Sequence, residues 1–134
     1  ITMPTYKTVF GNPAPAIITG VPRIGKSTAV KKVLNECEFP MLIIDPEGEY
    51  DKEPFALSDL ETINESQIYN IDWSVKKRLR YTQTLGVNPR DTVKSILERC
   101  MLEKEKLKDW VFVVDEAQLF TDLRIFKKFV ARAP

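Results

Sequence analysis

The stretch Gly20-Val21-Pro22-Arg23-Ile24-Gly25-Lys26-Ser27 constrains this chain more than any other part of it. It satisfies the pattern G-x-x-x-x-G-K-[ST] of a phosphate-binding loop in full. The apolar run Ala16-Ile17-Ile18 leads into it, and a helical pattern from Thr28 to Cys37 follows. That is the strand–loop–helix context the pattern requires. Each residue type has its own reason. The glycines let the chain turn sharply and bring backbone N–H groups close to phosphate oxygens. The helix then offers its free N–H groups and positive dipole end to the same phosphates. Lys26 can reach the β- and γ-phosphates as a point charge, and the Ser27 hydroxyl can ligate Mg²⁺. Val21, Pro22, Arg23 and Ile24 are free choices in the pattern, and Thr28 completes the expected contact set. Pro22 stiffens the loop, and Arg23 faces either solvent or a neighbouring subunit.

The second signal is Trp110-Val111-Phe112-Val113-Val114-Asp115-Glu116-Ala117-Gln118. Its unbroken apolar, β-favouring run predicts a strand covered on both faces, as in a parallel sheet. Ligand sites in open parallel sheets lie at the carboxyl ends of strands. Asp115 is thus placed to hold Mg²⁺ through water, as a Walker B aspartate does, and Glu116 to polarise an attacking water. An apolar strand ending in two carboxylates is common by itself. Downstream of a phosphate loop, the pair points to nucleotide hydrolysis, with Lys26 and Glu116 as the catalytic residues.

Composition narrows the chemistry. The 134 residues suit one domain, and the 43% hydrophobic share is enough for a core. The net charge is only +1, so any nucleic-acid contact must be a local patch rather than a global field. Without histidine, and with Cys37 and Cys100 isolated in sequence, zinc sites and histidine-based triads are disfavoured. Mg²⁺ on oxygen ligands is the metal that fits. Two lone cysteines favour a reducing compartment, the cytoplasm or a host's cytoplasm. No run approaches the roughly 18 apolar residues of a membrane span, and no signal peptide is visible.

The elements alternate. Residues 1–15, with Pro4, Pro13 and Pro15, read as an irregular lead-in to a domain over 16–134. The spacing predicts strands at Ala16–Thr19, Met41–Asp45, Gln67–Ile71 and before Asp115. It predicts a short helix at Ser58–Ile63, a basic segment from Val75 to Leu85 and a helix from Asn88-Pro89 to about Lys106. A final helix, capped by Thr121-Asp122, runs to about Arg132. This order implies an α/β sandwich, a mainly parallel sheet with helices on its faces. A nucleotide-hydrolysing domain of this kind adds a strand after the final helix, and the chain reads as stopping short of it.

Three segments together resemble the FtsK–HerA group of P-loop ATPases, which pump or translocate DNA: the loop at 20–27, Ile43-Ile44-Asp45-Pro46-Glu47-Gly48-Glu49-Tyr50, and Val113-Val114-Asp115-Glu116-Ala117-Gln118. The Asp-Pro-x-Gly-Glu-Tyr stretch carries the resemblance, because the other two motifs occur in many ATPases. The resemblance covers about residues 16–132. It implies a P-loop NTPase fold of the RecA/ASCE-like kind and a ring, perhaps a hexamer, with ATP between neighbours and DNA through its centre. It implies the roles already read for Lys26, Ser27, Asp115 and Glu116. Nothing matches the N-terminal barrel of HerA proteins, so a short relative such as a viral genome-packaging ATPase is the better parallel. The family's sensor residue lies on the strand not seen here, and Gln118 comes too early to be it.

Other features carry two readings each. Asp45, Glu47 and Glu49 belong to the nucleotide site or a subunit contact, or form a polar turn. Lys76-Lys77-Arg78-Leu79-Arg80 touches phosphates or is a solvated helix face. Trp73 and Tyr81 stack on bases or pack in the core. Arg90, Arg124 and Arg132 are candidate arginine fingers acting across a subunit interface. The expected activity is Mg-dependent ATP hydrolysis driving DNA translocation or packaging. The alternatives are a non-motor ATP-binding assembly switch and a small-molecule kinase. GTP is disfavoured because no N-K-x-D motif is present.

Overall fold

Three apolar runs and two segments of mixed polarity pair into a single sheet. The computed structural model describes residues 15–17, 26–83, 86–116, 119–120 and 122–131. The strands are β1 (Pro15–Ile17), β2 (Met41–Ile44), β3 (Leu60–Ile63), β4 (Arg78–Tyr81) and β5 (Val111–Val114), in the order β1-β5-β2-β4-β3. Every neighbouring pair is parallel. The helices are α1 (Lys26–Asn35), α2 (Pro89–Leu102) and α3 (Arg124–Ala131). The expected α/β architecture with a parallel sheet is thus present.

Strand alternation sorts the core into two halves. Met41, Ile43, Val111 and Val113 pack with Val33 and Leu34 of α1. Leu42, Ile44, Phe112 and Val114 face the other way, onto Val93, Ile96 and Leu97 of α2 and Phe126 and Phe129 of α3. The central strands are buried on both faces, which is why they read as continuous apolar runs. As expected, α2 starts with the Asn88 side chain accepting from the Arg90 N–H and with Pro89 in the first turn.

Four expectations fail, each for a physical reason. Gln67–Ile71 is not a strand. Glu65–Asn70 forms a 3₁₀ helix, because Asn64 and Gln67 each accept the other's backbone N–H in a capping box. The strand lies instead at Leu60–Ile63, where a short helix was expected; its edge position leaves Glu61 and Thr62 exposed. The basic segment is not a helix face over Arg78–Arg80, because it contains β4, and Lys76 and Lys77 before the strand are exposed. Leu79 and Tyr81 enter the core beside α2, while Arg78 and Arg80 alternate to the opposite face. Helix α2 also stops at Leu102, and Lys104–Leu107 forms a separate 3₁₀ turn.

Candidate functional site

The strand register aligns the carboxyl ends. Ile17 is paired with Val114, Val114 with Ile44, Ile44 with Tyr81, and Tyr81 with Ile63. One transverse row therefore joins the end of β1, which leads into the phosphate-loop sequence, to the end of β5, which leads into Asp115-Glu116. Helix α1 begins at Lys26. Residues 18–25 of the predicted loop lie outside the described residues, as do the side chains of Lys26 and Ser27; Thr28 is half-buried.

Both carboxylates that follow β5 are buried: Asp115 is 3% exposed and Glu116 5%. The Asp115 N–H donates to the Ile44 carbonyl at 2.9 Å and so extends the ladder with β2. The Glu116 N–H donates to Asp115 Oδ1 at 3.0 Å. The Glu116 carbonyl accepts from the Leu119 N–H at 2.9 Å. Glu116 sits at φ 55°, in the left-handed region where a non-glycine residue costs roughly 1–2 kcal/mol. Strain of this kind persists where the surroundings over-determine it, and it clusters at functional positions.

Asp45, the residue after β2, is fully buried. It organises the turn that follows: Oδ1 accepts from the Glu49 N–H at 2.9 Å and Oδ2 from the Tyr50 N–H at 3.1 Å. The Arg80 guanidinium approaches Oδ2 at 3.4 Å, pairs with Asp51 at 3.0 Å, and donates to the Thr62 hydroxyl at 2.7 Å. Burial raises the Asp45 pKa above its ordinary value, and the two N–H groups and Arg80 oppose that rise. Of the two readings for this acidic stretch, Asp45 fits the polar turn, Glu47 is exposed, and Glu49 pairs with Lys52 at 3.6 Å.

The turn folds back over α1. Lys31, one and a half turns after Lys26, is buried and donates to the carbonyls of Glu49 and Lys52 at 3.3 and 2.9 Å. The Tyr50 ring packs on the α1 face of the sheet. Arg80, Lys31 and Tyr50 escape a motif search. Arg80 alone leaves a trace, since Arg-Leu-Arg-Tyr alternates with period two.

Other candidate residues are used inside the chain. Trp73 and Tyr81 are core residues, the packing alternative of the two. Arg90 makes a two-pronged pair with Asp122, both bonds at 2.8 Å, and donates to the Leu119 carbonyl at 2.7 Å. It thereby braces the segment after β5. The helix expected to be capped by Thr121-Asp122 starts at Arg124, so Leu123 holds the capping position and Asp122 lies one residue before it. Arg124 is exposed, and Thr121, Gln118 and Arg132 lie outside the described residues. Cys37 and Cys100 are buried thiols, and burial pushes Cys100 up to about 12.

Among the described residues there is no group of three or more acidic, histidine or cysteine side chains able to hold a metal alone. No helix among the described residues is long and apolar enough to cross a membrane. Comparisons with protein-family models, with curated proteins and with solved structures find no match to this chain.

Proposed function

We propose that this chain is a P-loop ATPase domain of RecA/ASCE-like type that hydrolyses ATP with Mg²⁺ and works as a ring oligomer moving DNA. The observation that carries the nucleotide reading is the register of β1 on β5, with Ile17 opposite Val114. It sets the strand that precedes a complete phosphate-loop sequence beside the strand that ends in Asp115-Glu116. The DNA and ring parts rest on the resemblance of the Asp45–Tyr50 segment. In this reading Lys26 neutralises charge developing on the phosphates, and Ser27 and Asp115 hold the cation. Glu116 orients the attacking water and accepts its proton. Bound Mg²⁺ supplies neutralisation of the phosphate oxygens. The strained backbone of Glu116 supports its role, because it fixes a buried carboxylate at the strand end.

An ATP-binding assembly switch is the second reading. It is favoured by one observation: Arg90, a finger candidate, is taken up by Asp122 within its own chain. The kinase reading is weaker, because a water-activating carboxylate works against transfer to another acceptor.

Thermal shift and ATP turnover with and without DNA separate the readings. A ligand at 100 times its Kd stabilises by about 2.7 kcal/mol. Wild type shows such a shift with Mg-ATP, and Lys26→Ala loses it. Glu116→Gln keeps the shift but turns over about 10²–10⁴-fold more slowly. Turnover per chain rises with protein concentration and with DNA. A wild type that shifts but ignores DNA is a switch. A Lys26→Ala chain that shifts as wild type does refutes the site.

A further inference from the structure

Glu116 is held through both of its backbone polar groups, and the hold is anchored on α2. Its N–H donates to Asp115 Oδ1 at 3.0 Å, and its carbonyl accepts from the Leu119 N–H at 2.9 Å. The Leu119 carbonyl in turn accepts from Arg90 Nη1 at 2.7 Å. The same guanidinium grips Asp122 with two bonds, Nη1 to Oδ1 and Nη2 to Oδ2, both at 2.8 Å. Arg90 is itself fixed at the start of α2, where its N–H donates to Asn88 Oδ1 at 2.9 Å and Pro89 precedes it. A run of hydrogen bonds therefore links the capped end of α2 to the carbonyl of Glu116.

This clamp contributes little to the stability of the fold. The Arg90 side chain is 40% exposed and that of Asp122 69%, and exposed ion pairs stabilise weakly. The segment already has an apolar anchor, because Phe120 is fully buried in the core half shared with α2 and α3. What the clamp fixes is direction. Glu116 sits at φ 55°, a backbone conformation that its surroundings must enforce. A chain released from it would carry the buried carboxylate elsewhere. The planar fork of a guanidinium sets orientation as well as distance on a carboxylate, which a lysine ammonium does not.

We propose that Arg90 is a positioning residue for Glu116: through the Leu119 carbonyl and Asp122 it holds the left-handed backbone that aims the Glu116 carboxylate at the attacking water. This inference rests on the proposed role of Glu116 in hydrolysis. Arg90 then serves the site of its own chain and is not a finger reaching a neighbour's phosphates. A general base must stand within hydrogen-bond reach of the proton it takes. A misplacement of about 1 Å can cost about 10²-fold in rate, so a brace remote from the phosphates can govern turnover without touching substrate.

The test is ATP turnover by the full chain, with kcat and KM separated, beside thermal melting. Arg90→Ala lowers kcat about 10²-fold. Its KM for ATP is unchanged, and it melts within about 5 °C of wild type. Arg90→Gln gives the same loss, should the alanine variant melt low. Arg90→Lys, which can still donate to the Leu119 carbonyl, recovers part of the rate. In the Glu116→Gln background Arg90→Ala slows single turnovers no further, because the two changes remove one function. Mixing Arg90→Ala chains with Glu116→Gln chains restores nothing, whereas a finger acting across an interface would restore turnover at mixed contacts. Wild-type kcat in Arg90→Ala, a full further loss in the Glu116→Gln background, or recovery on mixing each overturns the role of Arg90 and leaves the site standing. If wild type does not hydrolyse ATP, or Glu116→Gln turns over at the wild-type rate, the proposed reading and this inference fall together.

Discussion

The two edges of the sheet treat their polar atoms in opposite ways. At the amino edge, Trp73 and Trp110 meet edge to face, with ring centroids 5.1 Å apart. Trp110 Nε1 donates to the Trp73 carbonyl at 3.1 Å, and Trp73 Nε1 donates to Glu103. Arg99 donates to Glu103 Oε2 at 2.9 Å and to the Ile71 carbonyl at 3.1 Å. Each of these donors is spent on holding the chain to itself. At the carboxyl edge, the carboxylates of Asp45, Asp115 and Glu116 are buried, Glu116 is left-handed, and the Tyr50 hydroxyl has no hydrogen-bond partner among the described residues. A saturated polar cluster is explained by the fold alone. A buried hydroxyl without a partner costs stability that the paired donors at the other end do not.

Substitutions at the two edges should therefore fail differently. The largest effect on stability is expected for Trp110→Ala, which removes a core ring and its hydrogen bond and costs about 3–5 kcal/mol. Urea denaturation measures it, and a loss under 1 kcal/mol would mean that the Trp pair is not a structural anchor. Glu103→Ala comes next. It strands the indole N–H of Trp73 and frees Arg99, at a cost of about 1–3 kcal/mol; Glu103→Gln, which can still accept, recovers much of it.

Across the sheet, Glu116→Gly has a smaller effect on stability. Removing a side chain from a left-handed residue relieves roughly 1–2 kcal/mol, offset by about 0.5–1 kcal/mol of extra chain entropy and by the lost contacts of a buried carboxylate. Under the proposed function the variant does not turn over ATP. A clear destabilisation would show that the Glu116 side chain is held for structure.

The smallest effect is a pH dependence. The Asp45 carboxyl titrates above its ordinary 3.8, chiefly through burial. The folded chain therefore holds this proton more tightly than the unfolded chain. Its contribution is fully present below 3.8 and is lost as pH rises through the raised value. Asp51 runs the other way: its hydrogen bond to Arg80 lowers its pKa, so its contribution appears above 3.8 and fades as pH falls. Asp45→Asn removes the first dependence and retains Asp51. As pH rises from 3.8 through the raised value, the stability difference should move in favour of the variant. Parallel curves would mean that Asp45 titrates alike in the folded and unfolded chain.

Much of this was legible in sequence, for reasons that differ by element. Strands β2 and β5 announced themselves because burial on both faces demands unbroken apolar runs. Asn88-Pro89 marked the start of α2 because its cap is local chemistry. β4 was hidden, because its charged residues are neutralised by partners distant in sequence: Arg80 by Asp45 and Asp51, Arg78 by the end of α1. β3 and the 3₁₀ helix after it were exchanged, since a hydrogen bond between Asn64 and Gln67 outweighed the apolar letters of Gln67–Ile71. At the site, residue types placed Asp115 and Glu116 just after the end of a strand, which is where the chain has them. They gave no hint of the left-handed backbone at Glu116 or the orphan hydroxyl of Tyr50, which arise only once the chain is packed.

Arg78 bears on how self-sufficient the phosphate-loop segment can be. Its guanidinium caps the last turn of α1, donating to the carbonyls of Leu34, Asn35 and Cys37 at 3.4, 3.3 and 3.3 Å. Helix α1 has 10 residues, and a helix below about 12–15 residues is marginal in isolation. Its C-terminal closure is delivered by a strand 41–44 positions further along the chain. The eight-letter signature is thus contiguous, but the helix that would present it is completed from a distance. A peptide spanning residues 15–45 should show little helix by circular dichroism. Transplanting the motif with its flanking strand and helix alone would carry the letters into a new host without the brace that finishes the helix.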